Sequence, residues 1–125
     1  MRNICYYSEL PEDLQVLISD VLESSNCMLD DQELDSLKFQ IKMVPIDVFP
    51  EVPMWTDYRD ESYADAMVGE PLPPVIICKR QWIDGRHRVW ALRKMKATHV
   101  PCIDLSNLIA FYPYPAIAFL KQGKQ

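Results

Sequence analysis

The chain has 125 residues, 49% of them hydrophobic and 25% charged, with a formal net charge of −5. That is the size of one ordinary domain, residues 1–125, and a composition of the globular kind rather than the disordered or fibrous kind. No apolar run approaches the roughly 20 residues a membrane span needs, and the acidic balance argues against a protein that coats nucleic acid by neutralising phosphates.

The opening MRNICYYSELPED has no hydrophobic signal core before its acids, so a cytoplasmic location with no membrane partner is expected. Ser8, Pro11 and Glu12 read as the start of a helix, with a hydroxyl cap, proline near the first turn and acids where the dipole favours them. Leu10, Leu14, Leu17, Ile18, Val21 and Leu22 then recur at helical spacing, which predicts an amphipathic helix to about Ser24. From Ser36 to Met43 the pattern alternates strictly, with Leu37, Phe39, Ile41 and Met43 facing one way, as in a half-buried strand. Pro45 interrupts it, and VPIDVF continues as a second extended piece.

A proline-bounded connection follows, in which Asp57 to Met67 is expected to form a short helix. Pro74 to Cys78 is a continuous apolar strand, Gln81 to Ile83 its hairpin partner, Arg86 to Lys96 a helix, and His99 to Leu105 another strand. Pro115 to Lys121 is expected to close the chain as a C-terminal helix. The four cysteines have no CxxC or Cys/His spacing of the zinc-binding kind, so reduced thiols and no metal ligands are expected; Cys78 and Cys102 sit in apolar runs.

The charge is unevenly placed. Between Lys79 and Lys96 lie seven basic residues and one acid, Asp84, a local surplus of six inside an acidic chain. In the stretch IDGRHRVWALRKM this charge lies directly behind Gly85, one of only three glycines. Strand, glycine turn and helix in that order present free backbone N–H groups and the positive end of a helix dipole to an anion. On a wheel of 100° per residue starting at Arg86, the apolar side falls between about 140° and 300°, and Arg88 lies at about 200°, in its middle. A guanidinium there cannot shed its proton and needs a carboxylate or an anionic ligand. Arg86, His87, Trp90, Arg93 and Lys94 occupy the opposite half, expected to be more exposed.

PPVIICKRQWIDGRHRVWALRKMKATHVPCIDL resembles the core of the ParB/sulfiredoxin superfamily, over roughly residues 43–105. Gly85, His87 and Arg88 match its GxHR box, Asp84 the leading acid of the DGHHR variant in the serine-kinase branch, and Val44 to Phe49 its opening strand. Arg59 stands where ParB proteins carry an arginine in an intervening box. The resemblance implies an α+β fold, a small mixed sheet with flanking helices, here with the N-terminal and C-terminal helices as additions. It further implies a nucleotide whose phosphates lie on Asp84, Gly85, Arg86, His87, Arg88 and Arg59, with a nucleoside di- or triphosphate and Mg²⁺ as cofactors. The kinase branch uses an upstream glutamate as base, for which Glu51 is the best-placed match and Asp47 the second. Arg86 occupies the position of the sulfiredoxin cysteine, so sulfinic acid reduction is not expected.

Phosphoryl transfer or NTP hydrolysis is the reaction class if the domain is catalytic, because such chemistry asks mainly for phosphate positioning. Two rival readings stand beside it. One is a non-catalytic accessory or inhibitor protein of a mobile element that binds a protein partner. The other is a ParB-like nuclease or DNA-binding accessory, which the net charge disfavours. An exposed apolar patch would mark the first, a continuous basic groove the second.

Overall fold

A computed structural model describes residues 3–52, 62 and 64–122. The architecture is mixed α+β. In chain order the elements are β1 (Ile4–Tyr6), α1 (Glu12–Ser24), α2 (Asp31–Ser36), β2 (Lys38–Gln40), β3 (Lys42–Pro45), β4 (Val75–Cys78), β5 (Gln81–Asp84), α3 (Arg86–Lys94), β6 (His99–Asp104) and β7 (Ala118–Phe119). Short 3₁₀ turns follow β1, β3 and β6. Residues 62 and 64–66 are helical, and the remainder of the helix expected from Asp57 to Met67 lies outside the described residues.

Among the described residues β1 and β2 form a two-stranded antiparallel sheet, and the rest a five-stranded sheet in the order β3-β6-β4-β5-β7. Its one parallel pair is β4 with β6. Side-chain alternation divides two cores across that sheet. Ile76, Cys78, Ile83 and Ile103 pack with Leu14, Ile18, Val21 and Leu22 of α1. Val75, Ile77, Trp82, Val100 and Cys102 point the other way and pack with Val89 of α3 and Phe49. The middle strand β4 is therefore buried on both faces, which is why its sequence is an unbroken apolar run. Trp82 meets Phe49 edge to face at 5.1 Å.

Several local expectations change. Ser8 does not cap α1: it lies in the 3₁₀ turn Tyr7–Glu9, and Pro11 takes the cap position, with Glu12 and Asp13 in the first turn. The alternating stretch from Ser36 to Met43 is not one strand. Ile41 donates its N–H to the Asn3 carbonyl at 2.7 Å, and beyond it the chain leaves the small sheet for the large one, so Met43 faces solvent and Val44 faces the core. Pro45 ends β3 rather than breaking it, and Ile46–Val48 is a 3₁₀ turn, not a second extended piece.

The C-terminal segment is not a helix. Ile117 N–H donates to Trp82 O at 2.8 Å and Leu120 N–H to Arg80 O at 2.7 Å, so the segment becomes the edge strand β7. The unpaired edge of β5 offers acceptors there, and Pro113 and Pro115 disfavour continuous helix. Arg80 fastens the strand by donating from Nε and Nη2 to Leu120 O. The buried Gln81 amide clamps the preceding turn, giving a hydrogen bond to Tyr112 O and accepting one from Tyr112 N–H.

Candidate functional site

The turn between β5 and α3 is built on Gly85, whose φ of +115° and ψ of 25° lie where side chains are rarely tolerated. A Cβ there would stand 2.8 Å from Val75 Cγ2 and 3.1 Å from Arg88 Nη2. The missing side chain thus lets the turn close down on β4 and lets Arg88 fold back beneath it. Val89 N–H donates to Gly85 O at 2.9 Å, the first bond of the helix.

Arg88 occupies the place the helical wheel assigns it, 7% exposed and level with Val89 and Ala91. Its Nη2 donates to Asp84 Oδ2 at 2.6 Å. Asp84 and Arg88 thus form an ion pair across the glycine, with the carboxylate side chain 43% exposed and the guanidinium 8%. Among the described residues no other group accepts from Arg88. With five N–H donors on a guanidinium, about four are left for water or a ligand.

A cleft of about 530 Å³ opens over this turn, walled by Asp84, Gly85, Arg86, His87 and Arg88 together with Asp13. Five of the six residues expected to hold a phosphate are therefore brought together, and Arg59 lies outside the described residues. The α1 wall and the walls from Met67, Pro73 and Ile117 were not legible from sequence. Asp13 reads as a helix-start acid, and nothing in its neighbourhood announces a cleft some seventy residues further along the chain.

The two expected bases sit elsewhere. Asp47 is exposed in the 3₁₀ turn after β3 and lines neither cleft. Glu51 lines a second cleft of about 560 Å³ with Val52, Trp82, Trp90, Arg93 and Lys94, and Arg86 lies in both clefts. The indole Nε1 of Trp82 is buried without a hydrogen-bond partner among the described residues. The outer face of α3 is less open than the wheel suggests. Arg86, His87, Trp90 and Arg93 are half-buried: Arg93 donates to Phe49 O, while exposed Lys94 reaches Asp65 at 3.7 Å and lies 4.8 Å from the Trp90 ring centroid.

Among the described residues no group of three or more His, Cys, Asp or Glu side chains gathers to hold a metal, and no helix is long and apolar enough to cross a membrane. None of Cys5, Cys27, Cys78 and Cys102 is in a disulfide. Burial drives the Cys102 thiol up to about 12, with Asp104 adding to the effect, and burial likewise raises Cys78. No protein-family model, curated protein or solved structure matches the chain.

Proposed function

We propose that the cleft at the head of α3 binds the phosphates of a nucleoside di- or triphosphate, in a domain of the ParB/sulfiredoxin type. The observation that carries this reading is the state of Arg88: a permanently charged side chain, nine-tenths buried in the wall of the cleft, spends one N–H on Asp84 and has no other acceptor among the described residues. A purely structural ion pair would be expected to satisfy more of the fork. The helix N-terminus adds free amides and a favourable dipole at the same spot, and Gly85 lets a ligand approach the backbone closely.

The arrangement suits positioning and charge stabilisation, which is what phosphoryl transfer or NTP hydrolysis chiefly demands. Arg86 and Arg88 would hold the phosphate oxygens, and His87 would donate to or accept from the same group. Glu51 lines the second cleft together with Arg86 and keeps the role of base in this reading, with Asp47 the second choice. Mg²⁺ would supply charge neutralisation, and the oxygen donors facing the cleft, Asp13 and Asp84, are of the hard type it prefers.

Thermal shift against nucleotides with and without Mg²⁺ tests the proposal, because a ligand that binds only the folded state must raise its stability. Nucleoside di- and triphosphates should raise the melting temperature, and Arg88→Ala should abolish the rise. The loss corresponds to about 1.5–3 kcal/mol of charge-assisted contact. Equal stabilisation of a folded Arg88→Ala protein would overturn it. The rival reading, docking to a protein partner, draws on exposed Phe111, Tyr114 and Phe119, and gains ground only if no nucleotide stabilises the chain.

A further inference from the structure

We infer that the outer edge of β2 is a docking groove for an extended acidic segment of a partner protein, which pairs with it as an added strand. The groove shares no lining residue with the cleft at the head of α3, so it stands or falls apart from the phosphate reading.

Residues 37–45 serve two sheets in turn, and their hydrogen-bonding parity leaves one edge open. Tyr7 N–H donates to Leu37 O at 2.9 Å and Ile41 N–H to Asn3 O at 2.7 Å, so residues 37, 39 and 41 turn their main-chain groups toward β1. Lys38 and Gln40 turn theirs the other way. On that side Ile46 N–H donates to Thr98 O at 2.9 Å, and Val44 and Lys42 follow in register against Val100 and Cys102 of β6. Continued by two more steps, the same register would set Gln40 against Asp104 and Lys38 against Ser106. The pairing stops at Lys42 instead, and a groove of about 420 Å³ opens there, lined by residues 37–42 and by Asp104, Ser106, Asn107 and Leu108. Among the described residues the main-chain groups of Lys38 and Gln40 have no partner on this side.

Unpaired N–H and C=O groups along a strand edge accept another strand, which is one of the recurring modes of peptide recognition. Side-chain alternation defines what kind of strand. Phe39 is buried, and Leu37, Ile41 and Leu108 pack against the same core, giving the groove an apolar side. Lys38, Gln40 and Lys42 are exposed and give it a polar one. Lysines on an open edge ordinarily keep other strands away. Here they select: a basic strand is repelled, whereas carboxylates on an added strand meet opposite charge at neighbouring positions. Lys38 has no ion pair among the described residues. Lys42 reaches Asp104 at 3.5 Å, but that carboxylate already accepts from the N–H groups of Lys79 and Ser106. The complement of this edge is an extended segment in which apolar residues alternate with Asp or Glu. A second copy of β2 fits less well, because it brings the same lysines.

The test follows backbone amide exchange by NMR in the full chain, alone and with one of two short capped peptides, valine alternating with glutamate or valine alternating with lysine. Alone, the Lys38 and Gln40 amides should exchange at least about tenfold faster than those of Phe39 and Ile41, which are tied to the small sheet. The glutamate peptide should slow Lys38 and Gln40, and the lysine peptide should not. Gln40→Pro removes an outward-facing donor without touching the ladder to β1. It should weaken the glutamate peptide about three- to tenfold, the worth of one main-chain hydrogen bond, with Gln40→Ala as native. Lys38→Glu, at an exposed position, should reverse the preference between the peptides and tests the same edge with the backbone unaltered. Four results would overturn the inference: Lys38 and Gln40 amides as slow as that of Phe39 in the protein alone, no protection by either peptide, equal binding of the two, or protection that rises with protein concentration when no peptide is present. The last would assign the edge to a second copy of the chain. None of the four bears on nucleotide binding.

Discussion

Asp84 Oδ2 and Arg88 Nη2 stand 2.6 Å apart, but the two partners are unequally buried, the carboxylate side chain 43% exposed and the guanidinium 8%. Their removal should therefore be unequal. Arg88→Ala frees a carboxylate that water can reach, and costs mainly the packing of the arginine stem. Asp84→Ala strands a buried cation and should destabilise by about 1–3 kcal/mol more, by the cost of a buried charge without its partner. Urea unfolding of the two variants measures the difference. A larger loss for Arg88→Ala would show that the stem, not the charge, governs the turn.

Gly85 and Gly69 both have positive φ, at +115° and +85°, but only Gly85 is crowded. Gly69→Ala meets nothing within 4 Å and should carry backbone strain alone, about 1 kcal/mol. Gly85→Ala adds a clash with Val75 and should cost about 2–4 kcal/mol. It should also lower nucleotide affinity, because the new methyl group presses on Arg88 Nη2. Thermal melts and ADP titrations on the pair separate strain from displacement.

Asp104 joins the end of β6 to the β4–β5 turn, accepting from Lys79 N–H at 2.9 Å and Ser106 N–H at 3.0 Å, with Lys42 at 3.5 Å. Burial alone would raise its pKa, but the hydrogen bonds from Lys79 and Ser106, with the Lys42 charge, outweigh burial and hold it below the ordinary value. A depressed folded pKa stabilises above the unfolded value of about 3.9 and is lost as pH falls through the folded one. Asp104→Asn should thus be less stable than the native protein at pH 7 by about 1–2 kcal/mol. The gap should narrow as pH falls below about 3.9, where the unfolded carboxyl takes up its proton, and close once the native carboxylate protonates at its lower folded value. A gap constant with pH would assign the effect to shape alone.

Thiol titration of the native protein should divide the cysteines in two. Cys5 and Cys27 are half-buried and should react with Ellman's reagent first. Cys78 and Cys102 are about sealed, and burial raises both thiols above their ordinary range, so they should wait for unfolding. Four equal fast rates in native buffer would contradict the packing of β4 and β6.

What could be read from sequence was local. The β4–β5 hairpin, α3 and β6 announce themselves because their apolar runs, glycine and helical spacing are each decided within a few residues. Arg88 could be placed on the apolar face by the wheel alone. The break at Ile41 could not, since it depends on a carbonyl from Asn3. Nor could the strand at Ala118–Phe119, because a short apolar run suits helix and strand alike until the edge of β5 decides. Asp13 belongs to the same class: its place in the cleft wall depends on where α1 packs relative to a turn far along the chain.

The cleft draws its walls from Pro11, Asp13, Met67, Pro73, residues 83–88 and Ile117, so it is assembled from pieces separated by about a hundred residues. The hairpin and α3 can organise through near neighbours, but the outer edge of β5 stays unpaired until residues 117–121 arrive to bond with Trp82, Arg80 and Val48. Loop-closure entropy makes such long-range joins the late ones. On this argument the cleft is completed only when its distant walls have met, and any molecule that bound there would favour the completed chain over every partly assembled form.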